Sequence, residues 1–426
     1  MKKIWLLIGL LAWGLTLLGQ DSTYQIRVMQ YNLMAFGLSP GNGCTFDVAR
    51  YSSLGTVLDH YRPHLLAVNE IAPSELYRQN IITQSMKYPN SMEAAPLVME
   101  RQSDRTSLLY YDSSLFGYLG TLPCPNDDCV LSSDGIRDIL VYELFFKPSV
   151  ANGGDTTFLT LIVAHFKASD GAGNENQRNQ SAQQIMSWIN NNASDKNVML
   201  LGDLNIGYAG EAAFQTLINN SNAALSFRDP INKTTGWTGA GNAAVHTQST
   251  RSSGSGCFVG GGLDDRFDFI LTSDEVLDGS IGAQFQAGSY KALGNDGSFY
   301  NQSIGCASGL PNAVCTALYN TSDHLPLTMT LDMVGAGTSN ILSWSQELKI
   351  GPQPMREQLR VEVTSASGQS GWKIEIFDLM GRLMYHQEGA PQWVTDVENW
   401  PSGVYQLRVS DPLGRSFQRK LLKVSP

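Results

Sequence analysis

From Tyr24 to about Met333, short apolar runs alternate with polar loops. Ile26-Val28 to Leu33, Leu65 to Val68, Ser107 to Tyr111, Ile139 to Phe146, Phe158 to Ala164, Val198 to Leu201, Phe267 to Leu271 and Leu327 to Leu331 read as strands. Several are apolar without alternation, as in strands buried on both faces. Between two of them, Glu175 to Asn192 predicts a helix with Ala182, Ile185, Met186 and Ile189 on one face, and a second helix fits Glu211 to Ile218. Two sheets with helices outside form a layered sandwich, and the strand ends gather along one edge. Residues 232–262 and 278–315 are rich in Gly, Ser, Asn and Thr, have no period, and read as long loops.

The pattern breaks around Gly335 to Gln353. Beyond it, Leu359-Val361-Val363, Trp372-Ile374-Ile376 and Val404-Tyr405-Leu407-Val409 alternate around turns at Met380-Gly381-Arg382 and Pro412-Leu413-Gly414-Arg415, predicting hairpins of a small all-β sandwich. The expected organisation is a leader over residues 1–19, a main domain over 20–334, a linker over 335–352 and a β-sandwich over 353–426. The leader reading rests on Lys2 and Lys3, the apolar run Ile4 to Leu18 and the small-then-polar boundary Gly19-Gln20-Asp21, the form of a secretory signal peptide. That run is shorter than the roughly 20 residues of a membrane-spanning helix, so no transmembrane segment is expected in the mature protein.

Export changes the reading of the six cysteines, Cys44, Cys124, Cys129, Cys257, Cys306 and Cys315, from a metal cluster to a disulfide set. Cys124 with Cys129 and Cys306 with Cys315 each close a short loop, leaving Cys44 and Cys257 as a long-range pair. The net charge is −10; the leader contributes +2 and residues 352–426 contribute +1, which leaves −13 on the central part. Such a domain has no broad basic footprint for nucleic acid, so any phosphate it handles is approached locally, through metal.

The candidate chemistry sits where apolar runs end. Tyr31-Asn32, Asn69-Glu70, Gly202-Asp203-Leu204-Asn205, Asp268 within Arg266 to Ile270, and Ser322-Asp323-His324 each close such a run with a polar group. Gly202 lets the backbone approach a ligand, and alternation puts Asp203 and Asn205 on one face, where an acceptor and an amide hold one water. Asp268, set among Phe267, Phe269 and Ile270, needs a buried partner, and the His324 imidazole suits it. His165, at the end of Ile162-Val163-Ala164, joins them as a second histidine. Asn32 and Glu70 are oxygen ligands with Asp323 nearby, a donor set for Mg²⁺, Mn²⁺ or Ca²⁺.

These motifs, in this order over about residues 24–333, resemble the endonuclease/exonuclease/phosphatase (DNase I-like) superfamily of nucleases, sphingomyelinases and inositol polyphosphate phosphatases. The resemblance implies an α+β fold, a four-layer αββα sandwich, and metal-dependent phosphoester hydrolysis with Mg²⁺ first among the cations. It assigns the metal site to Asn32, Glu70 and Asp323, and the water-orienting pair to Asp203 and Asn205. His324, oriented by Asp268, becomes the imidazole on the scissile phosphate, and His165 the one on the leaving side. Asn69 departs from the glutamine the family usually has there, and Ile71-Ala72 lacks the basic residue of abasic-site nucleases. Arg105, Lys167 and Arg178 are candidate phosphate contacts, each weighed against a solvated surface charge.

The tail resembles a type IX secretion C-terminal sorting domain through Gly351-Pro352-Gln353-Pro354, Ile374 to Arg382, Ser402-Gly403-Val404-Tyr405 and Lys420 to Val424. It implies outer-membrane secretion machinery as a partner and a secreted or cell-surface location. The functional expectation is a secreted phosphodiesterase, first a nuclease with extracellular DNA or RNA as substrate. The alternatives are a sphingomyelinase-like or small-molecule phosphoesterase, and a binding protein with a dead site on the same fold.

Overall fold

The computed structural model describes residues 22–425 apart from 39–46, 89–90, 99–104, 121–129, 132–136, 152–155, 193–195, 307–308, 336–347, 364–370, 379–381 and 411–415. The leader and Cys44, Cys124 and Cys129 lie outside the described residues, as do the tips of both tail turns.

In chain order the strands of the main part are β1 (Ser22–Phe36), β2 (Leu65–Ile71), β3 (Met92–Ala94), β4 (Thr106–Asp112), β5 (Phe116–Gly120), β6 (Val130–Leu131), β7 (Ile139–Phe146), β8 (Phe158–His165), β9 (Asn197–Asp203), β10 (Asp268–Thr272), β11 (Ala283–Phe285), β12 (Lys291–Ala292) and β13 (Leu327–Gly335). The helices are α1 (Ala49–Tyr61), α2 (Glu75–Asn80), α3 (Lys147–Ala151), α4 (Ala172–Asn192), α5 (Ala212–Ile218), α6 (Asp274–Asp278) and α7 (Asn312–Thr321). One sheet runs β11-β13-β1-β2-β4-β3, with β12 also on β13; the other runs β10-β9-β8-β7-β5, with β6 on β7.

Side chains from both sheets share one core: Met29, Tyr31, Leu66 and Leu109 from the first meet Tyr142, Leu161, Met199 and Ile270 from the second. The outer faces are covered separately. Leu54, Val57 and Leu58 of α1 and Val314 and Leu318 of α7 pack on the first sheet. Ala182, Ile185 and Ile189 of α4 and Phe214 of α5 pack on the second, against Ile162, Leu200 and Phe269. This is the expected four-layer αββα order, in which every strand of the two sheet centres is buried on both faces and so reads as an unbroken apolar run.

Of the eight expected strands Ile139–Phe146 keeps its bounds, the one read from Phe267 to Leu271 shifts by one residue, and the other six extend by one to seven residues. The region read as loop from 278 to 315 instead carries β11, β12 and the first turn of α7. A disulfide joins Cys306 to Cys315 on the first turn of α7, as the spacing suggested, and Cys257 is also disulfide-bonded. Among the described residues no helix is long and apolar enough to cross a membrane.

The tail forms two antiparallel sheets from β14 (Leu348–Gly351), β15 (Gln358–Val363), β16 (Trp372–Asp378), β17 (Leu383–Gly389), β18 (Gln392–Asp396), β19 (Gly403–Ser410) and β20 (Ser416–Lys423). Their orders are β14-β15-β18 and β17-β16-β19-β20, around a core of its own with Met355, Trp372, Trp393 and Tyr405. The Lys420 ammonium pairs with the buried Glu143 of β7 and lies 4.1 Å from the Phe158 ring centre.

Candidate active site

Strand register brings the polar strand ends together. The parallel pair β1 and β2 sets Asn32 beside Asn69, and the parallel pair β8 and β9 sets His165 beside Asp203. The antiparallel start of β10 then sets Asp268 beside Asp203. The chain leaves regular geometry here: Met34, Ala35, Glu70 and Asn205 take left-handed φ of 40°, 50°, 60° and 49°. Such conformations persist where surrounding structure over-determines them, and they collect at functional sites.

Asn69 fastens the two sheets. Its Oδ1 accepts from Gln30 Nε2 at 3.0 Å and from the Asp203 backbone N–H at 3.1 Å, while its Nδ2 donates to Ser107 Oγ and to the Ala164 carbonyl. The shortened amide therefore works as a tie under the rim, with every polar atom used. Gly202 is small for a different reason than a ligand's approach. A Cβ there would stand 1.8 Å from the Ala164 carbonyl oxygen of the neighbouring strand.

Above this floor the Asn32 amide donates to Glu70 Oε1 at 3.2 Å and to Asp203 Oδ2 at 2.8 Å, bridging two buried carboxylates. His165 Nε2 lies 3.6 Å from each of those same carboxylates. Ligand atoms of Glu70, His165 and Asp203 all fall within 4.8 Å of one another, the one such His/Cys/Asp/Glu group among the described residues. A nitrogen, that of His165, joins the two carboxylates in this group, where the sequence pointed to oxygen ligands alone. Asp323 does not. Its Oδ2 accepts the Val259 backbone N–H at 2.7 Å, and burial raises its carboxyl above the ordinary range.

His324 is held at both ring nitrogens. Nδ1 lies 2.8 Å from Asp268 Oδ2, as the sequence suggested, and Nε2 lies 2.8 Å from Gln248 Nε2 and 3.7 Å from Asp203 Oδ2. Burial disfavours its charge, but the carboxylates of Asp268 and Asp203 more than reverse this and raise the imidazole to about 10. An imidazolium carries N–H at both positions, so it requires the Gln248 amide to turn its oxygen toward Nε2. Ser322 fixes the same turn by donating to the Asn32 carbonyl at 2.7 Å and accepting the His324 N–H at 3.1 Å.

Burial pushes Asp203 up to about 7, opposed by His324. His165 goes the other way: burial, with the guanidinium of Arg137, the His324 ring and Arg105, holds it well below the ordinary imidazole range. One histidine is thus kept charged and the other neutral, a few ångströms apart.

Asn205 reaches Asp203 by a turn, not by strand alternation. The strand ends at Asp203, the Asn205 backbone N–H donates to Asp203 Oδ1 at 3.0 Å, and its amide donates to the Phe166 carbonyl at 3.2 Å. Arg105 is in the site, bonded through Nη1 to Glu70. Lys167 is half-buried, and among the described residues its side chain makes no bond. Arg178 is neither a phosphate contact nor a surface charge. Its side chain is 2% exposed and forms a forked pair with Glu211 at 2.5 and 3.2 Å, while donating to the Lys167 and Ser169 carbonyls. Its spacing from Ser181, Ala182 and Ile185 was the available sign that it lies on the buried helix face. Gln248 and Arg137 had no such sign, because both sit in segments without a period.

Residues 349–423 match the model of the secretion system C-terminal sorting domain family. No curated protein matches the chain. Among solved structures, TDP2 from D. rerio complexed with a single-strand DNA product is 16% identical with a TM-score of 0.44, covering 72% of this chain and 98% of that one. An endonuclease/exonuclease/phosphatase from Bacteroides vulgatus is 12% identical with a TM-score of 0.44, covering 73% and 99%. A mannosyl-6-phosphatase from Bacteroides thetaiotaomicron is 14% identical with a TM-score of 0.42, covering 72% and 99%. With TM-scores below 0.5, the layer order rests on the strand pairing and packing described above. The chain carries, at residues 349–423, a secretion system C-terminal sorting domain.

Proposed function

We propose that residues 20–334 form a divalent-metal-dependent phosphoester hydrolase, exported with the sorting domain as its address. The observation that carries this is the pair of buried carboxylates, Glu70 and Asp203, bridged by the Asn32 amide, with His165 Nε2 and His324 Nε2 at 3.6 and 3.7 Å from Asp203 Oδ2. Two carboxylates and an imidazole nitrogen within one small volume fit Mg²⁺ or Mn²⁺, which prefer oxygen and tolerate nitrogen. A cation held there by Glu70, Asp203 and His165 would neutralise phosphate charge and polarise the ester.

The protein's own groups supply the rest. His324, protonated at Nε2 and oriented through Nδ1 by Asp268, donates a hydrogen bond to a phosphate oxygen, where charge grows during attack. Asp203, whose Oδ1 accepts the Asn205 N–H and whose Oδ2 accepts the Asn32 amide, is the carboxylate placed to take the proton of the attacking water. Asn205 helps orient that water, its own position set by Phe166 and Asp203. His165, uncharged, presents Nε2 as the nitrogen donor beside Glu70 and Asp203. Asp323 supports the His324 turn.

The finer reading from the sequence, a nuclease on extracellular DNA or RNA, and its alternative, a phospholipid or small phosphoester, share this chemistry. One observation favours the second: Asp264 and Asp265 stand next to Gln248 in space, and Asp170 faces Asp265, so the rim beyond the phosphate is acidic. The expectation is that Asp203→Ala and His324→Ala each abolish hydrolysis in Mg²⁺ across plasmid DNA, RNA, sphingomyelin and p-nitrophenyl phosphate, with unchanged circular dichroism. Wild-type turnover in either variant refutes the assignment.

A further inference from the structure

Arg137 belongs to no motif, yet it stands against the groups just described. Its Nη1 donates at 2.8 Å to the Phe166 carbonyl, the same oxygen that accepts the Asn205 amide. That places a guanidinium directly beside the water-orienting residue, on the strand-end turn that follows His165. Arg105 is bonded to Glu70, whose Oε1 is 3.6 Å from His165 Nε2. Arg137 thus reaches the carbonyl of the residue next to His165, and Arg105 reaches a carboxylate beside its ring.

Arg105 is already paired with Glu70, whereas Arg137 pairs with no carboxylate among the described residues and is the charge left for a phosphate. A phosphodiester carries one negative charge on two non-bridging oxygens; a monoester dianion carries two on three. A guanidinium offers five N–H donors in a planar fork suited to phosphate oxygens, and the bond of Arg137 to Phe166 uses one nitrogen. Next to His324, the backbone of Gln248 is bonded to those of Asp264 and Asp265, and Asp170 is close enough to act on Asp265, acidic neighbours that disfavour the next phosphate of a polynucleotide.

We infer that Arg137 recognises the second negative charge of a terminal phosphate, so that the substrate class is a small phosphomonoester dianion. This rests on the hydrolase reading above and narrows it. Arg137 contacts the non-bridging oxygens and positions the phosphate for attack, and hydrolysis by water releases inorganic phosphate and the free alcohol.

The test compares p-nitrophenyl phosphate with bis-p-nitrophenyl phosphate, using the full chain in Mg²⁺ above pH 7, where the monoester is a dianion. Arg137→Ala is expected to lower kcat/KM for the monoester roughly ten- to hundredfold, the range of a lost charge-assisted hydrogen bond. The diester is expected to lose less, so the monoester-to-diester ratio falls at least about tenfold, and Arg137→Lys recovers part of the ratio. Inorganic phosphate inhibition weakens in parallel. Equal losses on both substrates, or a wild type that turns over only the diester, overturn the second-charge role while leaving the hydrolase intact. No turnover of either substrate with Mg²⁺ or Mn²⁺ overturns both.

Discussion

Replacing Asp268 by Asn removes the charge that faces His324 Nδ1 at 2.8 Å while keeping the shape. A rise from 6.5 to about 10 corresponds to roughly 5 kcal/mol of preference for the imidazolium at about 1.4 kcal/mol per pH unit. Asp268 is closer than Asp203, which lies at 3.7 Å, so about half of this, ~2–3 kcal/mol, is assigned to Asp268. The sign follows from linkage. A histidine whose folded pKa is raised stabilises the fold fully below the unfolded value near 6.5, and loses that contribution as pH climbs to about 10. Asp268→Asn should therefore cost ~2–3 kcal/mol at pH 6.5 and less than about 0.5 kcal/mol at pH 10. Urea unfolding of both chains at the two pH values, with chelator present so that no cation competes for the carboxylates, reads the difference. An equal cost at both values would refute the imidazolium and its partner.

Arg178→Ala strands the buried Glu211 carboxylate and should cost about 3–5 kcal/mol of stability, read as a lower unfolding midpoint, while turnover per folded molecule is retained. Retained stability would mean that Arg178 is exposed after all. Gly202→Ala drives a Cβ into the Ala164 carbonyl and should displace β9 from β8, lowering soluble yield and abolishing activity together. A well-folded, active Gly202→Ala would contradict the strand register at the rim.

The two-sheet core was legible because its strands are buried on both faces, and a run such as Val198-Met199-Leu200-Leu201 has no other economical reading. The Asp268–His324 pair was legible for a related reason: a carboxylate among Phe267, Phe269 and Ile270 demands a partner. What escaped was set by tertiary contact. In α1 the buried positions Tyr51, Leu54, Val57 and Leu58 are diluted by Ser, Gly and Asp, and α7 begins inside a Gly- and Asn-rich stretch. Nothing local announces the Val259 N–H that one oxygen of Asp323 accepts. Gln248 reaches His324 from 76 residues away along the chain, and no pattern in Thr247-Gln248-Ser249 foretells it. Arg178 was misread because a charge was weighed without its place on the helix face.

The claim on which the rest depends is that Glu70, His165 and Asp203 hold a divalent cation for phosphoester hydrolysis. Turnover of p-nitrophenyl phosphate by the full chain, measured in chelator and again after adding Mg²⁺ or Mn²⁺, tests it directly, with Glu70→Gln alongside. The account predicts no turnover in chelator, recovery with the cation in the wild type, and recovery in Glu70→Gln only at higher cation concentration or not at all. Undiminished turnover in chelator, or a Glu70→Gln variant with the wild-type cation dependence, would contradict it.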